Sequence, residues 1–189
     1  MIRELVVNAI EAANEAADDK SVDVTSVSID GTPKLCIRNT GRGMSADELN
    51  RACDLASSLF KENSLDANFG MGAKAASLPS NKLGPRYRSC RNGVVSEVIL
   101  CRRDGVYWRL RRGEDVVGRS TEIIDASEIC RLEGGYSLEN EWTEVVLFGN
   151  RAAQNAVDDP YDGDPMMGAH WLANNLTHLI QWTEAQRAF

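Results

Sequence analysis

The first 17 residues carry the clearest pattern of apolar and polar positions in the chain. At about 100° per residue, one arc of roughly 60° contains Glu4, Asn8, Glu11 and Glu15. The opposite side contains Ile2, Val6, Ala9 and Ala13. This pattern predicts an amphipathic helix over Ile2–Ala17 that buries its apolar stripe. The ordinary interpretation of the other stripe is a solvated acidic face. A carboxylate and an amide one turn apart could instead handle a water molecule and a hard metal ion together.

After residue 21 the pattern changes to that of β-strands. A hairpin is predicted from Val22–Asp30 and Lys34–Asn39, joined by a turn. Ser45 and Glu48 form a capping box that predicts a helix over Ala46–Leu59. Further strands are predicted at Tyr87–Arg91, Val94–Cys101, Val106–Arg111, Arg119–Ile124 and Thr143–Phe148, and a closing helix at Met167–Ala188. This order of elements indicates an α+β sandwich with a mostly antiparallel sheet.

Composition limits the broad class of protein. A chain of 189 residues with 43% hydrophobic and 26% charged residues fits one globular domain. The five cysteines include no Cys-x-x-Cys pair, which favours reduced thiols over disulfides or a zinc site. No apolar run is long enough to cross a membrane. We therefore expect a cytoplasmic protein without membrane contact.

The charge is unevenly distributed along the chain. The net charge is −7, yet the stretch from Arg86 to Arg119 holds nine arginines and only four acidic residues. Such a stretch is either a nucleic-acid contact or a solvated strand face over a core face. The alternation favours the second, with Tyr107, Arg109 and Arg111 in solvent and Trp108 and Leu110 in the core. A DNA or RNA contact stays open.

Two glycine-bearing turns are the next candidates for chemistry. Gly41 and Gly43 follow the predicted hairpin, and Gly70 and Gly72 precede a run of small residues. Each pair could be only a tight turn or a close packing contact. Alternatively, glycines before a helix leave backbone N–H groups free for phosphate oxygens. Asn39, which ends a strand, could read a base edge lying against the sheet.

Four short motifs in this order resemble those of the GHKL superfamily of ATPases, which includes gyrase B, the heat-shock chaperone, histidine kinases and MutL. Glu4-x-x-x-Asn8 resembles the N-box, and NTGRGM (Asn39–Met44) resembles the first glycine box. NFGMGAK (Asn68–Lys74) resembles the second glycine box, and Trp142-Thr143 resembles the late Gly-Thr pair. The second box followed by LPSN is also similar to uncharacterised phage and bacterial ATP-binding proteins.

The resemblance implies a Bergerat fold, a two-layer α/β sandwich whose mixed, mainly antiparallel sheet is covered on one face by helices. It implies that residues 1–150 form the ATP-binding domain, with a lid at about 45–68. Residues 151–189 would be a loop and a helix that pack on the domain or lead to a region further downstream. ATP and Mg²⁺ are the implied ligands, and a homodimer and an unknown protein client are the implied partners.

The resemblance also implies a role for each matching residue. Glu4 would be the general base for the attacking water, and Asn8 would bind Mg²⁺. Lys74 would stabilise charge on the phosphates. The remaining nucleotide contacts would be Asn39, Gly41, Gly43, Met44, Asn68, Phe69, Gly70, Met71, Gly72, Ala73 and Thr143.

Two positions depart from the family pattern. Asn39 stands where the family has an adenine-reading Asp, and Trp142 stands where it has Gly. An Asn carbonyl can still accept from an adenine amino group, so binding would be weaker or altered in base choice. Glu4 favours the hydrolysing branch of the superfamily. We expect slow ATP hydrolysis that drives a conformational switch. A non-hydrolysing nucleotide-binding module and a nucleic-acid-associated domain remain the alternatives.

Overall fold

The computed structural model describes residues 1–16, 20–53, 78–114 and 120–163. The helices are α1 (Ile2–Asn14), α2 (Ala46–Ala52) and α3 (Ser127–Glu133). The first strands are β1 (Val22–Ile29), β2 (Thr32–Thr40), β3 (Arg86–Arg91), β4 (Val94–Arg103) and β5 (Val106–Arg109). The others are β6 (Gly113–Glu114), β7 (Ser120–Thr121), β8 (Ile124–Asp125) and β9 (Trp142–Leu147). A 3-10 turn covers Leu78–Ser80.

The main sheet has the order β1-β2-β9-β3-β4-β5, and β8 pairs with β4. Each pairing within the described ranges is antiparallel, so the expected α+β class with a mainly antiparallel sheet is confirmed. The last strand in sequence, β9, lies between β2 and β3. This insertion places the middle of β9 beside two strands that are distant from it in the chain.

Helix α1 packs on one face of this sheet. Its buried residues Ile2, Leu5, Val6 and Ala9 belong to the same core cluster as Leu35 and Ile37 of β2 and Val145 and Leu147 of β9. The predicted apolar stripe is therefore the one that faces the sheet. The predicted capping box is confirmed, since the Ser45 and Glu48 side chains each accept from the other residue's backbone N–H.

The opposite face of the sheet is covered as well, which differs from the one-sided arrangement that we expected. Ala126, at the start of α3, and Cys130 pack there with Cys90, Val95 and Trp142. Helix α3 was not predicted. It has only seven residues, too few for a 3.6-residue period to be recognised in the sequence.

The predicted facing of β5 is wrong. Trp108 is 58% exposed, whereas Tyr107 packs against the main core. The register with β4 places Arg109 opposite the buried Leu100, and its guanidinium pairs with Glu122 at 2.7 Å. The ion pair lets an arginine occupy the inner face, which a simple polar-outside rule does not anticipate.

Other predicted elements are shorter than expected, are divided, or lie outside the described residues. The helix predicted over Ala46–Leu59 is described as far as Ala52, and the strand predicted over Arg119–Ile124 corresponds to β7 and β8 as two short strands. The second glycine box (Asn68–Lys74), the lid beyond Cys53 and the closing helix lie outside the described residues.

Candidate nucleotide pocket

Three polar side chains stand in a row on the sheet face that α1 covers. Asn39 of β2 is paired in register with Thr143 of β9, and Thr143 is paired in register with Ser89 of β3. Because successive strand residues point to opposite faces, these three share one face and their chain neighbours share the other. The position of β9 between β2 and β3 creates the row.

A pocket of about 100 Å³ lies between this row and helices α1 and α2. On the same measure one water needs roughly 10–15 Å³, so the pocket has room for more than a single water. Most of its wall is apolar and is formed by Leu5, Ala9, Ala12, Ile37, Met44, Leu49, Ala52, Cys53, Tyr87 and Val145. The polar lining residues are Asn8, Asn39, Arg42 and Thr143. Asn8, Asn39, Met44 and Thr143, predicted from separate motifs, are thus brought together.

The carboxamide of Asn39 is the most informative group in the pocket. Asn39 is only 7% exposed, yet its side chain has no hydrogen-bond partner among the residues that the structure describes. The half-buried Asn8 side chain likewise has none within those ranges. Leaving a buried polar group unsatisfied costs about 1–3 kcal/mol, and buried polar groups in folded proteins rarely lack a partner. The pocket therefore suits a ligand with hydrogen-bonding groups along an edge and apolar faces.

Ser89 organises the third side of the row and was missed in the sequence analysis. Its Oγ accepts from the Met44 backbone N–H at 2.7 Å and lies 2.8 Å from Thr143 Oγ1 and 3.2 Å from the Trp142 carbonyl oxygen. Ser89 is fully buried. Only the pairing of β3 with β9 identifies this serine, because its own segment gives no local signal.

The two glycines of the first glycine box pack closely against the backbone of α1 and β3. A Cβ at Gly41, where φ is +137°, would lie 2.3 Å from the Ala12 carbonyl oxygen, and one at Gly43 would lie 1.7 Å from that of Cys90. A side-chain carbon cannot lie that close to a carbonyl oxygen. Both positions therefore need glycine if the turn is to fit between α1 and β3. Neither glycine lines the pocket.

The backbone N–H groups of this box are also in use. Gly43 donates to Glu141 Oε2 at 3.0 Å, and Met44 donates to Ser89. The expectation that these N–H groups are free for phosphate oxygens is therefore not met at these two residues. The packing alternative, left open by the sequence, accounts for both glycines.

Glu4 lies one helical turn before Asn8 but does not line the pocket. Its side chain is 40% exposed and pairs with Arg3 at 3.1 Å. Asn8 supplies one amide oxygen at the pocket wall. Mg²⁺ keeps several waters and needs only one or two protein oxygens when phosphates complete its shell, so Asn8 fits such a role. Within residues 1–16, 20–53, 78–114 and 120–163, no three His, Cys, Asp or Glu side chains form a metal cluster.

Trp142, the departure from the family's Gly, lies on the other face of the sheet. Its ring is buried, its Nε1 donates to the Ser137 carbonyl at 2.8 Å, and it packs with Tyr136 at 5.1 Å between centroids. The tryptophan therefore does not enter the pocket, and the next residue, Thr143, lies in the row beside Asn39.

Ion pairs surround the pocket mouth and the arginine-rich strands. Arg42 pairs with Glu48 at 2.6 Å, and Arg91 also contacts Glu48. The Arg91 guanidinium and the Ser45 backbone N–H lower the pKa of Glu48 to about 2. Arg86 and Arg88 are buried among carboxylates. Much of the local positive charge is thus neutralised within the chain, and the nucleic-acid alternative gains no support.

Comparison of the chain with protein-family models and with curated proteins finds no match. No helix in the described parts of the chain combines the length and apolarity needed to cross a membrane. None of the five cysteines, all of which lie in the described ranges, forms a disulfide.

Proposed function

We propose that the chain binds Mg·ATP in this pocket and hydrolyses it slowly to drive a conformational switch. One observation supports the proposal above the others. Asn39 is more than nine-tenths buried, its carboxamide has no partner among the described residues, and it lies in an apolar pocket that Asn8, Met44 and Thr143 also line. A purine ring has two apolar faces and a hydrogen-bonding edge, which is the shape and polarity that these walls complement.

In this proposal the ring lies between α1, α2 and the sheet, with its edge toward Asn39 and Thr143. Asn8, on the helix that forms one wall, would place its amide oxygen toward a Mg²⁺ ion held by the phosphates. Mg²⁺ would neutralise charge on the phosphates during transfer. Glu4, one turn away, would orient the attacking water. The contacts proposed for Asn68–Lys74 rest on the motif alone.

Calorimetric titration with ATP, in the presence and absence of Mg²⁺, tests the binding site. We expect Asn8→Ala to remove the Mg²⁺-dependent part of the affinity, because it removes the amide oxygen. Asn14→Ala is the matched control, since Asn14 is on the same helix, exposed and outside the pocket. An Asn8→Ala protein that keeps the wild-type affinity for Mg·ATP would refute the metal-binding role.

The second candidate function is a nucleotide-binding module that does not hydrolyse ATP. It is favoured by the position of Glu4, which pairs with Arg3 and does not line the pocket. Steady-state phosphate release separates the two functions. Hydrolysis by Glu4 predicts a loss of turnover in Glu4→Ala with little change in Mg·ATP affinity, and wild-type turnover in Glu11→Ala. Turnover that is absent in the wild type, or unchanged in Glu4→Ala, would favour the module.

A further inference from the structure

We infer that the pocket is tolerant of the base edge and accepts both 6-amino and 6-oxo purine nucleotides. This inference rests on the proposed function and concerns which nucleotides the same site takes. It follows from the hydrogen-bonding polarity of the polar row, since the groups in that row can act as donor or acceptor.

The Asn39 carboxamide carries one acceptor oxygen and one donor nitrogen side by side. Adenine presents an amino donor next to a ring acceptor, and hypoxanthine presents the reverse, an oxo acceptor next to a ring N–H donor. A half-turn of the carboxamide exchanges its own two ends. No partner in the described part of the chain fixes either orientation of this side chain. Asn39 can therefore complement both edges at similar cost.

The hydroxyl pair beside Asn39 has the same freedom. The Ser89 hydroxyl can donate one hydrogen bond, either to the Trp142 carbonyl oxygen at 3.2 Å or to Thr143 Oγ1 at 2.8 Å. In the first arrangement Thr143 donates to Ser89 and offers lone pairs to the pocket. In the second, Thr143 Oγ1 accepts a hydrogen bond from the Ser89 hydroxyl, and the Thr143 hydroxyl can donate into the pocket. The Met44 N–H occupies one Ser89 lone pair in both.

The other polar side chains of the pocket do not impose a preference. The Asn8 carboxamide can donate and accept, and so can the hydroxyl of Tyr87, whose ring is part of the apolar wall. Arg42 is 58% exposed and pairs with Glu48, so its charge is at the mouth and not fixed against the base edge. A site that rejects an analogue strongly does so through buried groups of fixed polarity. Discrimination among purines here is left to shape.

Titration with Mg·ATP and Mg·inosine triphosphate tests the inference, because the second nucleotide reverses the edge without adding a 2-amino group. We expect the wild-type affinities to lie within about fivefold of each other. Asn39→Asp replaces the carboxamide by a carboxylate that only accepts, so it should favour ATP over inosine triphosphate by at least about tenfold. Asn92→Asp is the matched control, since Asn92 is exposed in the β3–β4 turn at φ 50° and lies outside the pocket.

The hydroxyl pair is tested separately by Thr143→Val, which stays informative if Asn39→Asp fails to fold. Both affinities should fall by a similar factor in this variant, and Thr143→Ser should restore both. A fall for one nucleotide alone would overturn the inference, as would a wild-type preference for either base above about a hundredfold. Binding of ATP but not inosine triphosphate overturns the base tolerance alone. Binding of neither overturns the proposed function together with it.

Discussion

The two faces of the central sheet present different kinds of side chain from the same three strands. On β2, β9 and β3, neighbouring residues form three pairs, Arg38 and Asn39, Glu144 and Thr143, and Arg88 and Ser89. One member of each pair belongs to the pocket face and the other to the opposite face. The pocket face holds neutral polar groups, whereas the opposite face, which we term the charged face, holds Arg38, Glu144, Arg88 and, on β4, Glu97.

The charged face is closed by contacts within the chain. Arg88 contacts Glu97 and reaches Glu133 at 2.5 Å. Glu144 accepts from Arg86 at 3.1 Å and from the Tyr136 hydroxyl at 2.9 Å. Among the side-chain nitrogens and oxygens of the described residues that are completely shielded from solvent, Arg86 Nε is the one without a hydrogen-bond partner. Within the described residues, the charges of this face are therefore paired mainly with one another.

The pocket face is neutral and open. The Asn39 and Asn8 side chains have no hydrogen-bond partners within the described ranges. Buried charge on this sheet is therefore not by itself a sign of a ligand site. A neutral amide that borders a cavity and has no partner among the described residues is the better indicator of a ligand site, because a polar group left unsatisfied costs free energy.

Removing a buried charge should have the largest effect on stability. We expect Arg88→Leu to lower the free energy of unfolding by about 3 kcal/mol, near the lower end for a broken buried pair, because Arg112 still reaches Glu97 at 2.6 Å. Urea denaturation measures the change. Arg111→Leu is the control, since Arg111 is 66% exposed and its pair with Glu122 should contribute less than about 1 kcal/mol. Equal losses in both variants would contradict the contrast.

The next largest effect is expected from acid, which should lower the free energy of unfolding through the charged face. Burial alone would raise the pKa of Glu97, but Arg88, Arg112 and Arg86 lower it below its ordinary value. The folded protein then binds fewer protons than the unfolded chain. This stabilisation is complete above the unfolded pKa of about 4.3 and is lost as the pH falls below it. Glu97→Gln should therefore lose less stability than the wild type between about pH 5 and pH 3.

The pocket face provides the control for this pH dependence. Asn39 and Ser89 do not titrate, so Asn39→Leu should follow the wild-type pH profile with a constant offset. Unfolding curves measured at each pH give the stability profiles of the wild type and of both variants for comparison. If the Glu97→Gln profile ran parallel to that of the wild type, acid sensitivity would have to come from other carboxylates.

Local sequence patterns located some elements and some pocket-lining residues, whereas they did not give the facing of β5 or the helix α3. Periodicity located α1 and the β1–β2 hairpin, and the motifs selected Asn8, Asn39 and Thr143, which line one pocket. These features depend on local pattern and on chemistry that few residues can supply. The two glycines were recognised as special, but their close contacts with α1 and β3 become visible only in three dimensions.

What the sequence missed depends on contacts between distant segments. Ser89 gains its position from β9, which follows it by more than 50 residues. Arg109 faces inward because Glu122 lies close to it, and α3 is too short for its period to stand out. A local window contains none of these partners, so the polarity of a residue misleads wherever a remote charge compensates it.

A smaller effect of opposite sign is expected on the pocket face. Asn39→Leu removes an amide that has no partner among the described residues, and it should raise the free energy of unfolding by about 1 kcal/mol, because the desolvation cost is relieved. The same variant should lose ATP binding. Chemical denaturation and calorimetric titration on one preparation measure both. A loss of stability above about 1 kcal/mol would indicate that the amide is bonded in the free protein.

The smallest change in stability is expected from Arg42→Ala, which removes the same type of side chain as Arg88→Leu. Arg42 is 58% exposed, compared with 3% for Arg88, and Arg91 still keeps Glu48 ionised after its removal. The free energy of unfolding should therefore change by less than about 1 kcal/mol. Because Arg42 lines the pocket, ATP affinity should fall, and the difference from wild type should shrink as salt screens the phosphates.

Arg51→Ala is the control for Arg42→Ala, since Arg51 is exposed on α2 and outside the pocket. It should leave both stability and ATP affinity near wild type. If Arg42→Ala destabilised the protein as much as Arg88→Leu, the pocket face would depend on charge in the same way as the charged face. If instead only its nucleotide affinity changed, the arginines of the two faces would differ as the faces do, one stabilising the fold and the other acting on the ligand.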